Sequence, residues 1–447
     1  MALSAVLGLL PGRRVVRIGV TGLARAGKTS FLTSLAANLL AVGAGLPALP
    51  ALGARLGRRG LHVAIAPAGA QMLPRFDYLS HLAALAADPP SWPARTGAVS
   101  LLSLDLEIGH EGLAARLPPQ RIRLEFLDYP GEWLLDLPLL GQSFADWSAA
   151  TLRRLQAWPQ AREFLAFTGG LPTGAKADEA LASTGTALYR AALRGLRDEA
   201  GLAMLQPGRF LMLAPGPEPP WGSFFPMTGG GALAGLLRAR YDEYVRAVER
   251  DLAAPSFASV DRLVVLADVL SALHAGPAAF DDASVALSAV AQALRWRRLP
   301  AFLPSWIARV LPVGGISRVA FAATKADHVA ARQRGNLAAL IGAMIRQPAD
   351  AAEAAFALAA VRCTEDVVWT LEGHPVSAVR GRTLGAERAA KSYPGEVPDE
   401  LPDADFWAHP FLALPDFEPM QLKLGGRGGV PQINLDGLLA FLLEDLL

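Results

Sequence analysis

The chain has 447 residues, more than one small hydrophobic core can organise, so it holds two to four folding units or one domain with a large insertion. Hydrophobic residues make up 52% and charged residues 19%, which excludes a disordered chain; the net charge of +1 gives no electrostatic reason to expect a nucleic-acid partner. The single cysteine, Cys363, excludes an intramolecular disulfide and a multi-cysteine zinc site, and fits a reducing compartment.

The apolar stretch Ala2–Leu10 has basic residues only after it, Arg13 and Arg14, the wrong order for a secretory signal. Thr29–Ala54 carries one charge-free run long enough to span a bilayer, but its glycines, prolines and polar residues predict a core helix followed by a loop. The expectation is a cytoplasmic protein, with peripheral contact at the inner membrane left open.

Val15–Thr21 is β-branched and apolar and predicts a buried strand. Gly22–Thr29 follows as a loop, Thr29–Leu40 as a helix, and the Gly/Pro/Ala-rich Ala41–Gly60 as loop. Phe76–Ala87 has helical spacing. Three prolines deny a helix to the segment from Asp88 to Gly97. Val99–Ile108 and Arg121–Leu127 alternate and predict an antiparallel pair. Helices are expected over Phe144–Phe167, Asp178–Ala200 and Ala232–Ala254, with a Pro/Gly-rich stretch at Ala214–Gly231. Strands return at Arg262–Val269, Ser317–Ala323 and near Ala355–Val361, separated by helices at Ala283–Arg298 and about Ala330–Ile345. Leu435–Leu447 predicts a closing helix. Strands alternating with helices imply an α/β fold with a mostly parallel sheet, one antiparallel strand and helices on both faces. The order is that of a Ras-like P-loop domain. Residues 1–141 and 260–447 would form it, with 142–259 as a mainly helical insertion.

Three motifs carry chemistry. Gly22-Leu-Ala-Arg-Ala-Gly-Lys-Thr29 matches G-x-x-x-x-G-K-[ST] between a strand and a helix. Its glycines, Gly22 and Gly27, let the backbone of Ala24, Arg25 and Ala26 wrap a phosphate, and amides through Ser30 point at the anion. Lys28 is placed to reach the β- and γ-phosphates and the Thr29 hydroxyl to bind Mg2+. Asp128-Tyr-Pro-Gly131 follows the third strand; an acid there holds Mg2+ through water and the Gly131 amide senses the γ-phosphate. Thr324-Lys-Ala-Asp327 resembles the [NT]-K-x-D guanine motif. The Asp327 carboxylate would accept from guanine N1–H and the exocyclic amine, while the Lys325 stem lies along the base. Two of the chain's five lysines, Lys28 and Lys325, fall in these motifs. After the last core strand, Cys363 and Thr364 are the candidates for a loop that reads the guanine carbonyl. Thr96 is the candidate switch threonine on Mg2+. The seven histidines show no H-x-x-x-H spacing and predict no metal site.

Together these residues resemble the YcjX-like family of bacterial P-loop proteins. The resemblance lies in V-T-G-L-x-R-x-G-K-T at Val20–Thr29, D-P-P-x-W-P-x-x-T at Asp88–Thr96, F-L-D-Y-P-G-E-W at Phe126–Trp133, A-T-K-A-D-H at Ala323–His328, and I-N-L-D-x-L-L-x-F-L-L at Ile433–Leu443. It implies a GTP/GDP-binding domain with a helical insertion, a link to envelope stress, and a partner membrane protein. Where Ras-like enzymes place Gln after D-x-x-G this chain has the catalytic candidate Glu132, whose ionised carboxylate a γ-phosphate repels; it either accepts a proton from water with a raised pKa or stands aside. Slow hydrolysis is therefore expected. Arg25 is the candidate for charge stabilisation, in cis or across a dimer. A nucleotide-binding module without turnover and an ATPase are the alternatives. The sequence leaves the oligomeric state open.

Overall fold

The computed structural model describes residues 14–23, 25–67, 73–94, 99–211, 219, 221–253, 260–296, 316–346, 352–409, 414–422 and 429–446. In chain order the elements are β1 (Arg14–Gly22), α1 (Lys28–Gly43), α2 (Pro50–Leu56), β2 (Leu61–Ile65), α3 (Tyr78–Ala86), β3 (Ser100–Ile108) and β4 (Gln120–Asp128). A 3-10 run, Gly131–Gly141, leads to α4 (Phe144–Leu155), α5 (Arg162–Gly169), α6 (Glu179–Asp198) and α7 (Ala232–Ala253). Then come β5 (Arg262–Ala267), α8 (Val269–Ala275), α9 (Pro277–Trp296), β6 (Arg318–Ala323), α10 (Arg334–Met344) and β7 (Glu353–Ala357). The chain closes with β8 (Thr364–Leu371), β9 (His374–Arg382), β10 (Ala389–Ser392), α11 (Ala404–Trp407) and α12 (Leu435–Leu442).

Seven strands form one sheet in the order β2-β3-β4-β1-β5-β6-β7. β3 pairs antiparallel with both β2 and β4, and every other pairing is parallel, so β3 alone runs against the rest. Both faces are covered, which is why β5 after Arg262 reads as an unbroken apolar run, Leu263–Ala267, and all six residues of the strand are buried. On one face Val16, Ile18 and Val20 meet Phe31, Leu32 and Leu35 of α1 and Leu435, Leu438, Leu439 and Leu442 of α12. On the other, Val319 and Phe321 are buried where α10 contacts β6 and β7.

The charge-free run Thr29–Ala54 begins with a core helix: α1 is buried along its length, and Asn38 donates to the Ser34 and Val430 carbonyls at 2.9 and 3.1 Å. Among the described residues no helix is long and apolar enough to cross a membrane. The stretch Ala41–Gly60, expected as loop, contains α2, whose first residue is Pro50; the fixed φ of proline suits that first helical position. The helix expected over Phe144–Phe167 is two, because Pro159 cannot continue α4 and starts a short 3-10 turn.

α12 is clamped at the amino ends of β5 and β6. Arg262 and Arg318 open those strands in register. Arg262 is 2% exposed; it holds the Asp445 carboxylate at 2.8 and 2.9 Å and donates to the Leu442 carbonyl. Arg318 reaches Glu444 at 2.7 Å and the Phe441 carbonyl at 3.0 Å. Removing one partner of a buried ion pair is strongly destabilising. Asp445 is 45% exposed and can rehydrate, so Arg262→Ala is expected to lower the unfolding free energy by only about 2–3 kcal/mol. Urea titration checks this; a loss under about 0.5 kcal/mol would contradict the clamp.

Contacts divide the chain into two compact units. One holds the seven-stranded sheet, α12 and the three-stranded antiparallel sheet β10-β9-β8. The other holds the 3-10 run Gly131–Gly141, α4 to α7 and α9. Its core is aromatic: Trp147 stacks on Tyr241 at 5.0 Å, and Phe210, Phe224 and Tyr244 pack edge and tilt around them. Ser143 caps α4 and Asp178 caps α6 by accepting from backbone N–H groups.

Asp136 is fully buried in this core, accepting from Gly208 N–H at 2.8 Å and from the Tyr244 hydroxyl. Burial raises its pKa from 3.8 to about 6, against the hydrogen bonds from Tyr244 and Gly208 and the charge of Arg209. The folded state therefore holds the proton more tightly than the unfolded chain. This contribution is complete below about pH 4 and is lost as pH rises through about 6, on the order of 2–3 kcal/mol in all. Asp136→Asn removes the titration. The melting temperature of wild type is expected to fall relative to the variant between those pH values; parallel curves would contradict the assignment.

Candidate functional site

The three motifs leave the sheet at the carboxyl ends of β1, β4 and β6, with β5 between β1 and β6, at the edge where open α/β sheets bind ligands. β1 ends at Gly22. A Cβ at Gly22 would lie 2.4 Å from the Leu266 carbonyl oxygen, so only glycine lets the loop leave β1 this close to β5. Leu23 N–H donates to that same carbonyl at 3.0 Å, and Ala26 N–H to Leu23 at 3.1 Å. Arg25 and Gly27 take left-handed backbone, φ 63 and 79. Gly27 is the residue before α1, and no side chain caps the helix, nor does any acid stand in its first turn. The amides of Lys28, Thr29 and Ser30 thus begin a helix whose positive end is left to an anion. Lys28 is half-buried and makes no ion pair or hydrogen bond among the described residues. Arg25 is exposed on the crest of the loop.

Asp128 ends β4 and is 2% exposed. Its register partner on β1 is Val20, two residues before Gly22, and Tyr129 N–H bonds the Val20 carbonyl at 2.8 Å. Gly131 and Glu132 open the 3-10 run of the other unit. Ala24 and Thr96, and the side chain of Glu132, lie outside the described part of the structure.

β6 delivers the third motif. Thr324 is buried, its N–H bonded to the Ala267 carbonyl at 2.8 Å. Lys325 takes φ 59, and Ala326–His328 form one 3-10 turn. Asp327 caps no helix. It is 2% exposed, and its Oδ2 accepts from Cys363 N–H at 2.7 Å and from the Cys363 thiol at 2.8 Å. Burial, reinforced by the Asp327 charge, pushes the thiol pKa up, so the sulfur keeps its proton and donates. Oδ1 of Asp327 has no partner among the described residues. Thr364 is fully buried, and its hydroxyl donates to the Asp327 carbonyl. The structure therefore brings Cys363 and Thr364 against Asp327.

Lys325 does not lie free along a base. Its ammonium is 2.8 Å from Asp268 and 3.7 Å from Asp416. Burial lowers its pKa, but the two carboxylates push back and the net shift is upward. Asp268 is the residue after β5 and was not among the sequence candidates; its position one step past a core strand end is the feature that could have found it. His328 lies 3.8 Å from the Cys363 sulfur and edges onto Phe417, whose carbonyl accepts from Trp92 of the D-P-P-x-W-P segment at 2.8 Å. Asp327, His328 and Cys363 thus form a buried cluster with ligand atoms within 4.8 Å, a grouping the histidine spacing does not show. A cavity of about 400 Å3 opens beside Cys363, lined also by Asp88, Arg380, Arg382 and Glu418; no described residue of the Gly22–Thr29 loop borders it.

The sheet order, the glycine loop between β1 and α1 and the acid ending β4 are those of a Ras-like P-loop NTPase domain, here with a large helical insertion. Residues 16–447 match the YcjX-like family, DUF463, and the chain belongs to that family. It is 34% identical to the protein named Ras-like GTPase YcjX of Escherichia coli (strain K12), over 97% of this chain and 96% of the relative. It is 32% identical to the Ras-like GTPase YcjX of Shewanella oneidensis, over 97% of this chain and 95% of that one.

Proposed function

We propose that this chain binds GTP and GDP with Mg2+, hydrolyses GTP slowly to GDP and phosphate, and works as a nucleotide-dependent switch. The observation that carries the reading is the pairing of an uncapped Gly27–Lys28 helix start with a buried Asp327 whose Oδ2 is held by Cys363 and whose Oδ1 is left for a base. The names of the two relatives supply the GTPase class. Thr29 and Asp128 offer a hydroxyl and a carboxylate, hard oxygen donors suited to Mg2+. When bound, that ion neutralises phosphate charge. Lys28 and the loop amides hold the phosphates, and Arg25 is a further source of positive charge at the loop crest.

Glu132 supports the slow rate. Its charge opposes the γ-phosphate where a glutamine would orient water. The same residue favours a second reading, a nucleotide-binding module without useful turnover. The helical unit is the surface for a partner, in line with the membrane protein and envelope-stress link that the family implies; a cytoplasmic protein peripheral to the inner membrane fits this reading. Phosphate release measured beside equilibrium binding of GTP decides between the readings. Tight binding with slow, Mg2+-dependent release supports the GTPase. Tight binding with no release above the uncatalysed rate leaves the binding module.

A further inference from the structure

The inference concerns the Asp128 corner and rests on the nucleotide reading above. Three polar residues lie on elements that meet there. Asp128 ends β4, and Ser100 opens β3 directly opposite it in the antiparallel register. Directly opposed residues project to the same face, with Cβ atoms about 4.5–5.5 Å apart. Ser100 is 6% exposed and its hydroxyl has no hydrogen-bond partner among the described residues.

The third is His81 on α3. The strand edge fixes where α3 begins: Leu101 N–H bonds the Pro74 carbonyl and Phe76 N–H bonds the Leu101 carbonyl, each at 2.9 Å. Leu101 is the neighbour of Ser100, so the segment that starts α3 is tied to the end of β3 beside Asp128. Asp77 caps α3, and the His81 ring packs at 5.0 Å on Phe76. His81 is 8% exposed, and its Nε2 has no partner among the described residues. Burial lowers the His81 pKa, and the charges of Asp77 and Asp128 act against that shift.

Buried polar atoms left without partners are rare, and two of them, on elements that adjoin the Asp128 end of β4, suit an ordered water. We propose that His81 Nε2 and the Ser100 hydroxyl hold a water against the Asp128 carboxylate, fixing its orientation toward the cation that accompanies the nucleotide. His81 is thus a positioning residue, acting through Asp128 and touching neither phosphate nor base. Sequence spacing does not reveal it, because the residue lies 47 positions from Asp128 in the chain. Groups that orient metal-ligating carboxylates typically account for 10–100-fold in metal affinity.

The test titrates Mg2+ against a fluorescent GDP analogue in the full chain, for wild type, His81→Ala, His81→Gln and Ser100→Ala. His81→Ala is expected to raise the half-saturating Mg2+ by about tenfold or more. Its nucleotide affinity in excess EDTA should match wild type, which also shows that the variant is folded. Glutamine, which keeps a hydrogen-bonding side chain, should recover part of the loss, and Ser100→Ala should shift Mg2+ dependence in the same direction. Wild-type Mg2+ dependence in both His81→Ala and Ser100→Ala overturns the proposal, even if their melting temperatures fall, since a merely structural histidine would do that. A wild type that binds GDP equally well with and without Mg2+ overturns the metal role of Asp128 itself, and this proposal with it.

Discussion

Lys28→Ala is expected to remove nucleotide affinity and leave the fold intact. Lys28 is the first residue of α1, after a glycine at φ 79, and its ammonium has no partner among the described residues. The helix is anchored instead by Phe31, Leu32, Leu35 and Leu39, all fully buried. Alanine is also the better helix former, so stability should change by less than about 0.5 kcal/mol. Binding should suffer far more. A hydrogen bond to a charged group is worth roughly 1.5–3 kcal/mol, and contact with two phosphates puts the loss at about a hundredfold or more. Arginine should not rescue, because its planar fork cannot replace a compact ammonium inside the loop. Fluorescent-nucleotide titration beside thermal melting reads both quantities. A folded variant with wild-type affinity would end the phosphate-loop assignment.

The second large effect is a change of base. In Asp327→Asn the Cys363 N–H, now bonded to Oδ2 at 2.7 Å, favours the amide oxygen on its own side. The new NH2 then takes the place of Oδ1 and faces the base. Guanine presents donors there, so one polar group is left unsatisfied at roughly 1–3 kcal/mol, and a charged acceptor is lost as well. GTP affinity should fall at least about tenfold. Xanthine carries an oxygen where guanine carries the amine, and xanthosine triphosphate should gain. The fold should tolerate the exchange, since both Cys363 donors keep an acceptor in the amide oxygen. If base preference does not change, Asp327 serves only to hold the Cys363 loop.

What was legible in the sequence is what local chain chemistry dictates. Gly22, Gly27 and Lys28 sit at a strand-to-helix junction, and the spacing alone places them. The alternation in Val99–Ile108 foretold β3, whose outward positions are the half-buried ones. The edge strand β2 was not visible, because five residues after a glycine-rich stretch carry too little periodicity. The hairpin β8–β9 could have been seen: Glu372 and Gly373 both take positive φ, 49 and 86, the two-residue turn that right-twisted strands require. Its strands alternate weakly, with mixed charges on the exposed face. Ser100 and His81 were hidden for a different reason. Each gains its place only when distant strands and helices converge, and no local pattern records that convergence.

The central claim is that the carboxyl edge of this sheet holds a guanine nucleotide. Equilibrium competition of GTP and ATP against a fluorescent GDP analogue, on the wild-type chain with Mg2+, tests it most directly. Asp327 with one oxygen held by Cys363 and one open should favour GTP by at least about a hundredfold, because adenine lacks the donor pair that a site of this kind requires. Equal competition by ATP, or a preference for it, would contradict the account.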